Sequence, residues 1–295
     1  MHLTVVVSMK KYAVSYTLIS PSVAFILIFM YYPLLSALFH SFTKWDMVTT
    51  HWIGFANFGR VFSDSIMGLS VSHQLIFTLT DLLKSIIPPL IVAELIHLLK
   101  GKRAKYLLRT GFVLNMLVPG MVGTLLWLSI YNPSYGLLNQ LLKFLGLSEW
   151  TRAWLAESGT ALWAIVMSGF PFISGVSFLI FYAAIGSLNN EVIESSRIDG
   201  ANGWQVFTKL HIPMLTPQFK VLIILTIIGS LQDFVKVIVL TNGGPGTATV
   251  IPAYTMYGAA FASSEYGYAS AIGTCLFVVI LGLTLLNMKF LKTKW

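Results

Sequence analysis

The sequence predicts an all-α membrane protein with six transmembrane helices, and three observations support this prediction. Hydrophobic residues make up 56% of the 295 residues, only 10% are charged, and the mean hydropathy is +0.77. A soluble domain usually carries about 25% charged residues. Several apolar runs are long enough to cross a bilayer as helices, in which every backbone polar group is satisfied internally. Lys and Arg also collect in alternate loops, as they do in multi-pass proteins.

Six apolar segments are predicted as spans, and each is bounded by polar, basic or aromatic residues. In chain order they cover residues 13–38, 73–99, 111–131, 160–187, 218–241 and 268–290. Aromatic rings near the ends of the first and third segments, such as Trp45 and Trp127, favour the lipid–water interface. Turn-forming residues follow the third and fifth segments, at Asn132-Pro133 and Gly243-Gly244-Pro245.

The positions of Lys and Arg predict which side of the membrane each loop faces. Of the 19 such residues, 4 lie in the loops after the first and third spans and 2, Lys84 and Lys236, lie inside spans. The remaining 13 precede the first span, lie at or beyond the end of the last, or lie in or beside the loops after the second and fourth. Because Lys and Arg collect on the cytoplasmic side, both termini are predicted to be cytoplasmic. The net charge of +8 therefore reflects topology, and no nucleic-acid partner is expected.

The predicted cytoplasmic loop 188–217 carries the most specific pattern in the chain. Its main residues are Glu194, Ser195, Ser196, Asp199, Gly200, Ala201, Phe207, Pro213 and Pro217. Asn190 is predicted to cap a short helix from Glu191 to Asp199, after which Gly200 takes the left-handed backbone of a helix terminus.

A second short helix is predicted to begin near Asn202, to cover Trp204 to Leu210 and to end before Pro213, because proline disfavours helical backbone in the preceding residue. Four apolar side chains of the two helices are expected to offer surface to a partner protein. They are Ile193, Trp204, Val206 and Phe207.

This spacing resembles the EAA loop of ABC-importer permeases, and other segments resemble sugar permeases of the maltose-transporter type. Those segments include Tyr31-Tyr32-Pro33, Gly54-Phe55-Ala56-Asn57-Phe58, Tyr131-Asn132-Pro133 and Tyr266-Gly267-Tyr268-Ala269-Ser270-Ala271. The resemblance covers most of the chain, and the sequence departs from the motif where Ser195 and Ser196 replace the usual alanines. It implies a type I ABC importer permease (MetI-like) fold, with residues 1–295 forming a single permease domain in the bacterial plasma membrane.

The resemblance also implies the partners of the chain. They are a second homologous permease, two ATP-binding cassette subunits, an extracytoplasmic solute-binding protein and an oligosaccharide or disaccharide. In the family the EAA loop docks on the ATPase, which assigns that role to Glu194, Ser195, Ser196, Asp199, Gly200, Ala201, Phe207 and Pro213. The chain has no P-loop, because Gly101-Lys102 lacks both the upstream glycine and the following Ser or Thr. ATP and Mg²⁺ are therefore expected on the partner subunits, with no cofactor, metal or enzymatic activity in this chain.

Polar residues within the predicted fourth and fifth spans are candidate sugar contacts, because polar groups inside spans usually face a cavity or another helix. Thr226, Ser230 and Asp233 share one helical face, with Gly229 and Gln232 beside it. Related permeases place sugar contacts at positions matching Thr226, Gly229, Ser230, Gly169 and Phe172.

Two other interpretations of these polar residues stay open. Ser, Thr and small residues are also ordinary packing devices between membrane helices, and Asp233 could simply pair with Lys236. Asp81 and Lys84 form a second i, i+3 pair, which keeps an ion-coupled secondary transporter as the alternative function.

Overall fold

The computed structural model describes residues 12–290, and they form fourteen α-helical segments and one short β-hairpin. Two compact units are distinguished. The first contains residues up to 63 together with 256–275, and the second contains 64–255 together with the residues from 276 onward. The basic residues predicted before the first span, and Lys292 and Lys294 after the last, lie outside the described residues.

The first unit begins with helix α1, Ala13–His40, which is interrupted by one π-helical turn at Leu27–Tyr31. Strands β1 (Thr43–Trp45) and β2 (Thr50–Trp52) then pair antiparallel, and α2 covers Ala56–Ser63. The all-α prediction did not include this hairpin of two three-residue strands, and the other regular elements of residues 12–290 are helical.

Local hydrogen bonds explain the hairpin. The carboxylate of Asp46 accepts the backbone N–H groups of Thr49 and Val48 at 2.6 and 3.0 Å, which closes the turn. These two bonds, of which the one from Thr49 has the larger effect, hold the pKa of Asp46 below its usual value. The amide of Asn57 donates to the carbonyl oxygens of Ser41 and Thr43 and thereby fixes α2 against β1.

Helix α3, Ser65–Leu98, begins the second unit, and the helices that follow are shorter. They are α4 (Lys102–Leu114), α5 (Gly120–Ile130), α6 (Leu137–Phe144), α7 (Ala161–Met167), α8 (Gly175–Gly186), α9 (Asn190–Ile198), α10 (Gly203–Met214), α11 (Thr216–Gln232) and α12 (Val235–Leu240). Helices α13 (Pro252–Phe261) and α14 (Tyr266–Phe290) complete the described chain.

Three of the predicted spans are not continuous helices. Within residues 12–290, α1, α3 and α14 are each long and apolar enough to cross a membrane. Up to three further spans arise only by combining bent pairs, at 94° for α4 with α5, 70° for α8 with α9, and 65° for α10 with α11. The predicted spans 111–131, 160–187 and 218–241 are instead interrupted, near Pro119, at residues 168–174, and at Asp233.

The second unit has two apolar cores, and both include side chains of α3. In the first core, Leu90, Ala93 and Ile96 of α3 pack with α8, notably with Phe178 and Phe181, which are fully buried. The second core joins Phe77 of α3 to residues of α7 and α12. Helix α3 is therefore the central element of this unit, because its two ends belong to different cores.

Candidate functional site

Helix α9 in the loop 188–217 is closed at both ends by local hydrogen bonds. The side chain of Asn189 accepts the N–H of Glu191 at 2.9 Å, so the cap is Asn189 and the prediction of Asn190 was wrong by one residue. At the other end Gly200 has φ +85°, as predicted. The N–H groups of Gly200 and Ala201 donate to the carbonyls of Arg197 and Ser196. These two bonds form a Schellman motif, which requires the left-handed conformation that glycine adopts easily.

Helix α10 begins where the sequence predicts but continues past the predicted end. Asn202 and Gln205 form a reciprocal capping box. Pro213 does not end the helix, because a π-helical turn at Phe207–His211 precedes it and the helix runs on to Met214. Pro217 occupies the first turn of α11, where the missing N–H of proline has no intrahelical partner to lose.

The predicted docking residues lie in both exposed and half-buried positions. Exposed are Glu194, Ser195, Asp199, Gly200 and Pro213, and partly buried are Ser196, Ala201 and Phe207. The predicted apolar surface is corrected, because Ile193 and Val206 are buried at 9% and 5% exposure. Trp204 is strongly exposed as predicted, at 71%, and Ile198, which was not predicted, is exposed at 86%.

The second unit contains a cavity of about 580 Å³ formed by α3, α11 and the segments around α8 and α12. Fourteen residues line it: Asp81, Lys84, Ser85, Asn115, Ser168, Gly169, Phe172, Ile173, Ser174, Thr226, Gly229, Ser230, Asp233 and Lys236. The structure thus brings together six of the seven residues proposed from the sequence as sugar contacts. The seventh, Gln232, is exposed and does not line this cavity.

Asp81 lies at the centre of the hydrogen bonds along one cavity wall. One carboxylate oxygen accepts the ammonium of Lys84 at 3.0 Å, and the other accepts the hydroxyl of Ser230 at 3.1 Å. The amide of Gln74 donates to the backbone carbonyl of Ser230 at 2.9 Å, and the hydroxyl of Thr78 lies 3.3 Å from that of Ser230. These bonds join α3 to α11 beside the cavity.

A second contact between the same helices lies one turn further along. The hydroxyl of Thr226 donates to that of Ser85 at 2.8 Å. Across the cavity the ammonium of Lys84 lies 5.4 Å from the centroid of the Phe172 ring, within the range of a cation–π contact. Phe172 and Gly169 have φ values of +62° and +93°, so this turn is held in an uncommon backbone conformation.

The charged residues of the cavity form two pairs of opposite sign. Lys84 and Asp81 are mostly buried, whereas Lys236 and Asp233 lie 3.8 Å apart and are more exposed. All four also line a smaller cavity of about 20 Å³. The two lysines and two aspartates therefore balance in formal charge.

Residues of α3 were missing from the sugar contacts proposed from the sequence. Asp81, Lys84 and Ser85 stand at i, i+3 and i+4, a spacing that places them on one helical face. The same signal identified Thr226, Ser230 and Asp233, so the face on α3 could have been found in the same way.

The two helix interruptions border the cavity. Helix α11 ends where the N–H of Asp233 donates to Gly229, and the side chain of Asp233 then accepts the N–H of Val235. Residues 168–174 separate α7 from α8. Non-helical backbone at membrane depth is tolerated where it is buried in protein or lines an aqueous cavity. Transporters often use such interrupted helices to form their substrate sites.

Known proteins share this sequence pattern and this architecture. Residues 85–291 match the family described as "Binding-protein-dependent transport system inner membrane component". The chain shares its fold with a bacterial ABC transporter involved in the import of the acidic polysaccharide alginate. The TM-score is 0.87, with 23% identity over 98% of both chains.

Three relatives align over nearly their whole length. The probable ABC transporter permease protein YurN of Bacillus subtilis is 30% identical, over 95% of this chain and 96% of its own. The multiple sugar-binding transport system permease protein MsmF of Streptococcus mutans is 29% identical, over 90% of each chain. The sn-glycerol-3-phosphate transport system permease protein UgpA of Yersinia pestis is also 29% identical, over 95% and 94%. The chain therefore belongs to the family of binding-protein-dependent transport system inner membrane components, and it is a multi-pass ABC transporter permease with the MetI-like fold.

Proposed function

We propose that this chain is one of two membrane subunits of a carbohydrate importer, and that its cargo crosses through the cavity beside Asp81 and Ser230. The observation that carries the proposal is the composition of the cavity wall. It combines hydroxyl groups, paired charges and the aromatic ring of Phe172 in a volume of about 580 Å³. Sugars require donors and acceptors for their hydroxyls and a flat apolar surface for the ring. Predicted contacts are Thr226, Gly229, Ser230, Asp233, Gly169 and Phe172, and we add Asp81, Lys84 and Ser85 because they line the same cavity.

The charge balance of the cavity favours an uncharged oligosaccharide or disaccharide. Each lysine of the wall already has an aspartate partner, and no arginine is among the described residues that line it. A phosphate or carboxylate on the cargo would therefore have to compete with Asp81 or Asp233 for its cation. Relatives are named for multiple sugars and for sn-glycerol-3-phosphate, so the family includes neutral and anionic cargo. The paired lysines support a neutral sugar as the cargo that we propose.

The loop 188–217 is proposed to dock on an ATP-binding cassette subunit through α9. Its exposed residues combine charge at Glu194 and Asp199 with apolar surface at Ile198 and Trp204. Small side chains at Ser195 and Ser196 allow close approach of a partner surface. The complete transporter would contain a second permease, two ATPase subunits that bind ATP and Mg²⁺, and a solute-binding protein outside the membrane. ATP binding would then shift the cavity between inward and outward states to the extent that the two states bind nucleotide differently.

The proposed topology has six spans with both termini in the cytoplasm. It is supported by the bias of Lys and Arg and by α1, α3 and α14, which are each long and apolar enough to cross a membrane. Reporter fusions after Trp150 are expected to report an external location, and fusions after Gly203 a cytoplasmic one. The opposite pattern would overturn this topology.

Uptake into membrane vesicles tests the function itself. Right-side-out vesicles that contain this chain, its partner subunits and the binding protein should accumulate labelled disaccharides only when ATP is enclosed. Dissipating the proton gradient with an ionophore should leave that uptake unchanged. Uptake that instead follows the gradient without ATP would favour an ion-coupled transporter, for which the charges at Asp81 and Lys84 would be the relay.

A further inference from the structure

A buried contact between a histidine and a carboxylate connects the segment after α9 to the central helix α3. The Nδ1 atom of His211, in the π-helical turn of α10, lies 2.9 Å from a carboxylate oxygen of Glu94 on α3. The two side chains are only 4% and 11% exposed. The Nε2 atom of His211 is buried and has no hydrogen-bond partner among the described residues, so Glu94 is the polar contact of this ring.

The pair lies between the loop 188–217 and the helices that form the cavity. His211 lies on α10, which begins shortly after α9 and leads into α11, the helix that bears Thr226 and Ser230. Glu94 lies on the helix that bears Asp81, thirteen residues away, or about 20 Å along the axis. The pair therefore joins α3 to α10, which leads into α11, and the hydroxyl and carboxylate groups of α3 and α11 meet at the cavity.

Apolar packing makes this joint stiff. Ala93 and Ile96, which flank Glu94, and Leu215, which follows α10, are buried in the core shared by α3 and α8. Phe207 packs against the same core. Pro88 and Pro89 separate this part of α3 from the part that bears Asp81. The helix nevertheless continues without a break from Ser65 to Leu98, so both parts belong to one element.

We infer that the Glu94–His211 pair is a positioning contact that makes the inner end of α3 move together with the loop 188–217. Movement of α9 then reaches the cavity by two routes, through α11 directly and through α3 by way of this pair. A buried polar contact suits this purpose, because separating its two partners would leave both buried and without a hydrogen bond. That cost in free energy keeps the two segments in one relative position. This inference rests on the proposed function of the loop as the docking site of the ATPase.

The test measures whether nucleotide still changes the cavity when the pair is broken. Asn115, which lines the cavity and is exposed, is replaced by cysteine in a Cys275→Ser background. The complete transporter is placed in lipid nanodiscs, and the rate at which a hydrophilic maleimide modifies the cysteine is measured with and without ATP and vanadate. With the native pair, ATP and vanadate should change this rate by about fivefold or more. If they do not, the proposed function itself fails, whatever the pair does.

Two substitutions at Glu94 distinguish the effect of its hydrogen bond to His211 from the effect of the volume of its side chain. Glu94→Gln keeps an oxygen that can accept from His211 Nδ1 and should preserve the response. Glu94→Met has similar length but no acceptor, and its response should fall below about twofold while vanadate still traps nucleotide on the ATPase. A full response in Glu94→Met would overturn the inference.

A double variant covers the case in which Glu94→Met does not assemble. Glu94→Met combined with His211→Leu leaves neither side chain unsatisfied, and such apolar replacements of buried pairs are often neutral for stability. A response below about twofold in this assembled transporter supports the positioning role, and a response equal to that of the native pair overturns it.

Discussion

The docking loop and the cavity are held together by different kinds of hydrogen bond. In the loop, the bonds that define α9 and the start of α10 join residues no more than five positions apart, such as Asn189 with Glu191. At the cavity, the bonds from Ser230 to Asp81 and from Thr226 to Ser85 join residues 149 and 141 positions apart. The loop can therefore keep its shape while the helices move, whereas the cavity depends on how α3 and α11 are placed.

This difference suits the two proposed roles. A surface that must fit a partner subunit gains from a shape fixed by its own backbone, because it then loses little conformational entropy on binding. A cavity that must release its cargo gains from contacts that break when two helices separate. Substitutions in the loop should consequently affect every nucleotide-dependent step, and substitutions at the cavity should affect the cargo step alone.

The largest effect is expected from Gly200→Pro, which disrupts the local hydrogen bonds at the C-terminus of α9. Proline holds φ near −65° and has no N–H, whereas Gly200 has φ +85° and donates to Arg197. The terminus of α9 would have to rearrange, at a cost of about 3 kcal/mol or more. Binding-protein-stimulated ATP hydrolysis by the assembled transporter should fall to its basal rate, while membrane insertion, measured by extraction with detergent, is retained.

Gly203→Ala is the matched control for that substitution. Gly203 lies three residues away in the same loop, is exposed, and has open space where a Cβ atom would stand. Alanine there should leave stimulated hydrolysis within about twofold, because alanine is the better helix former. Equal losses in both variants would show that the loop tolerates no change, and normal coupling in Gly200→Pro would remove α9 from the docking surface.

The same contrast explains how far the sequence could predict each region. The terminus at Gly200 and the second helix near Asn202 were predicted, because caps and left-handed turns depend on residues only a few positions apart. The errors there were a shift of one residue at the cap, Asn190 for Asn189, and of four residues at the end of the second helix, predicted at Leu210 and found at Met214. The burial of Ile193 and Val206 could not be predicted, since it follows from packing between elements.

The cavity was predictable in its polar residues but not in its backbone. Thr226, Ser230 and Asp233 were found because a polar face stands out within an apolar span. The interruption at 168–174 had a signal in Gly169 and Pro171, which the apolar run obscured. The interruption at Asp233 had no signal from Gly or Pro in the sequence. It depends on the side chain of Asp233, which accepts the N–H of Val235. The partnership of Asp81 with Ser230 requires knowledge of which helices pack together.

A smaller effect, confined to transport, is expected from Asp81→Asn. The amide can still accept from Ser230, but it leaves the mostly buried ammonium of Lys84 without its anion. Leaving one member of such a pair unbalanced costs more than the pair contributes when intact. Uptake of a neutral disaccharide should fall about tenfold, a difference of about 1.4 kcal/mol. Vanadate trapping of nucleotide should stay at its native level, because the loop is unchanged.

Combining Asp81→Asn with Lys84→Gln sharpens this prediction. The double variant restores the charge balance of the cavity and keeps polar groups at both positions, so uptake should recover to within about threefold of the native rate. Recovery would show that the balance of charge, rather than the aspartate itself, sets the rate for neutral cargo. A double variant as slow as Asp81→Asn would instead mean that the carboxylate contacts the cargo directly. A native rate in Asp81→Asn alone would remove α3 from the transport path and leave the cargo site to α11 and the turn at Phe172.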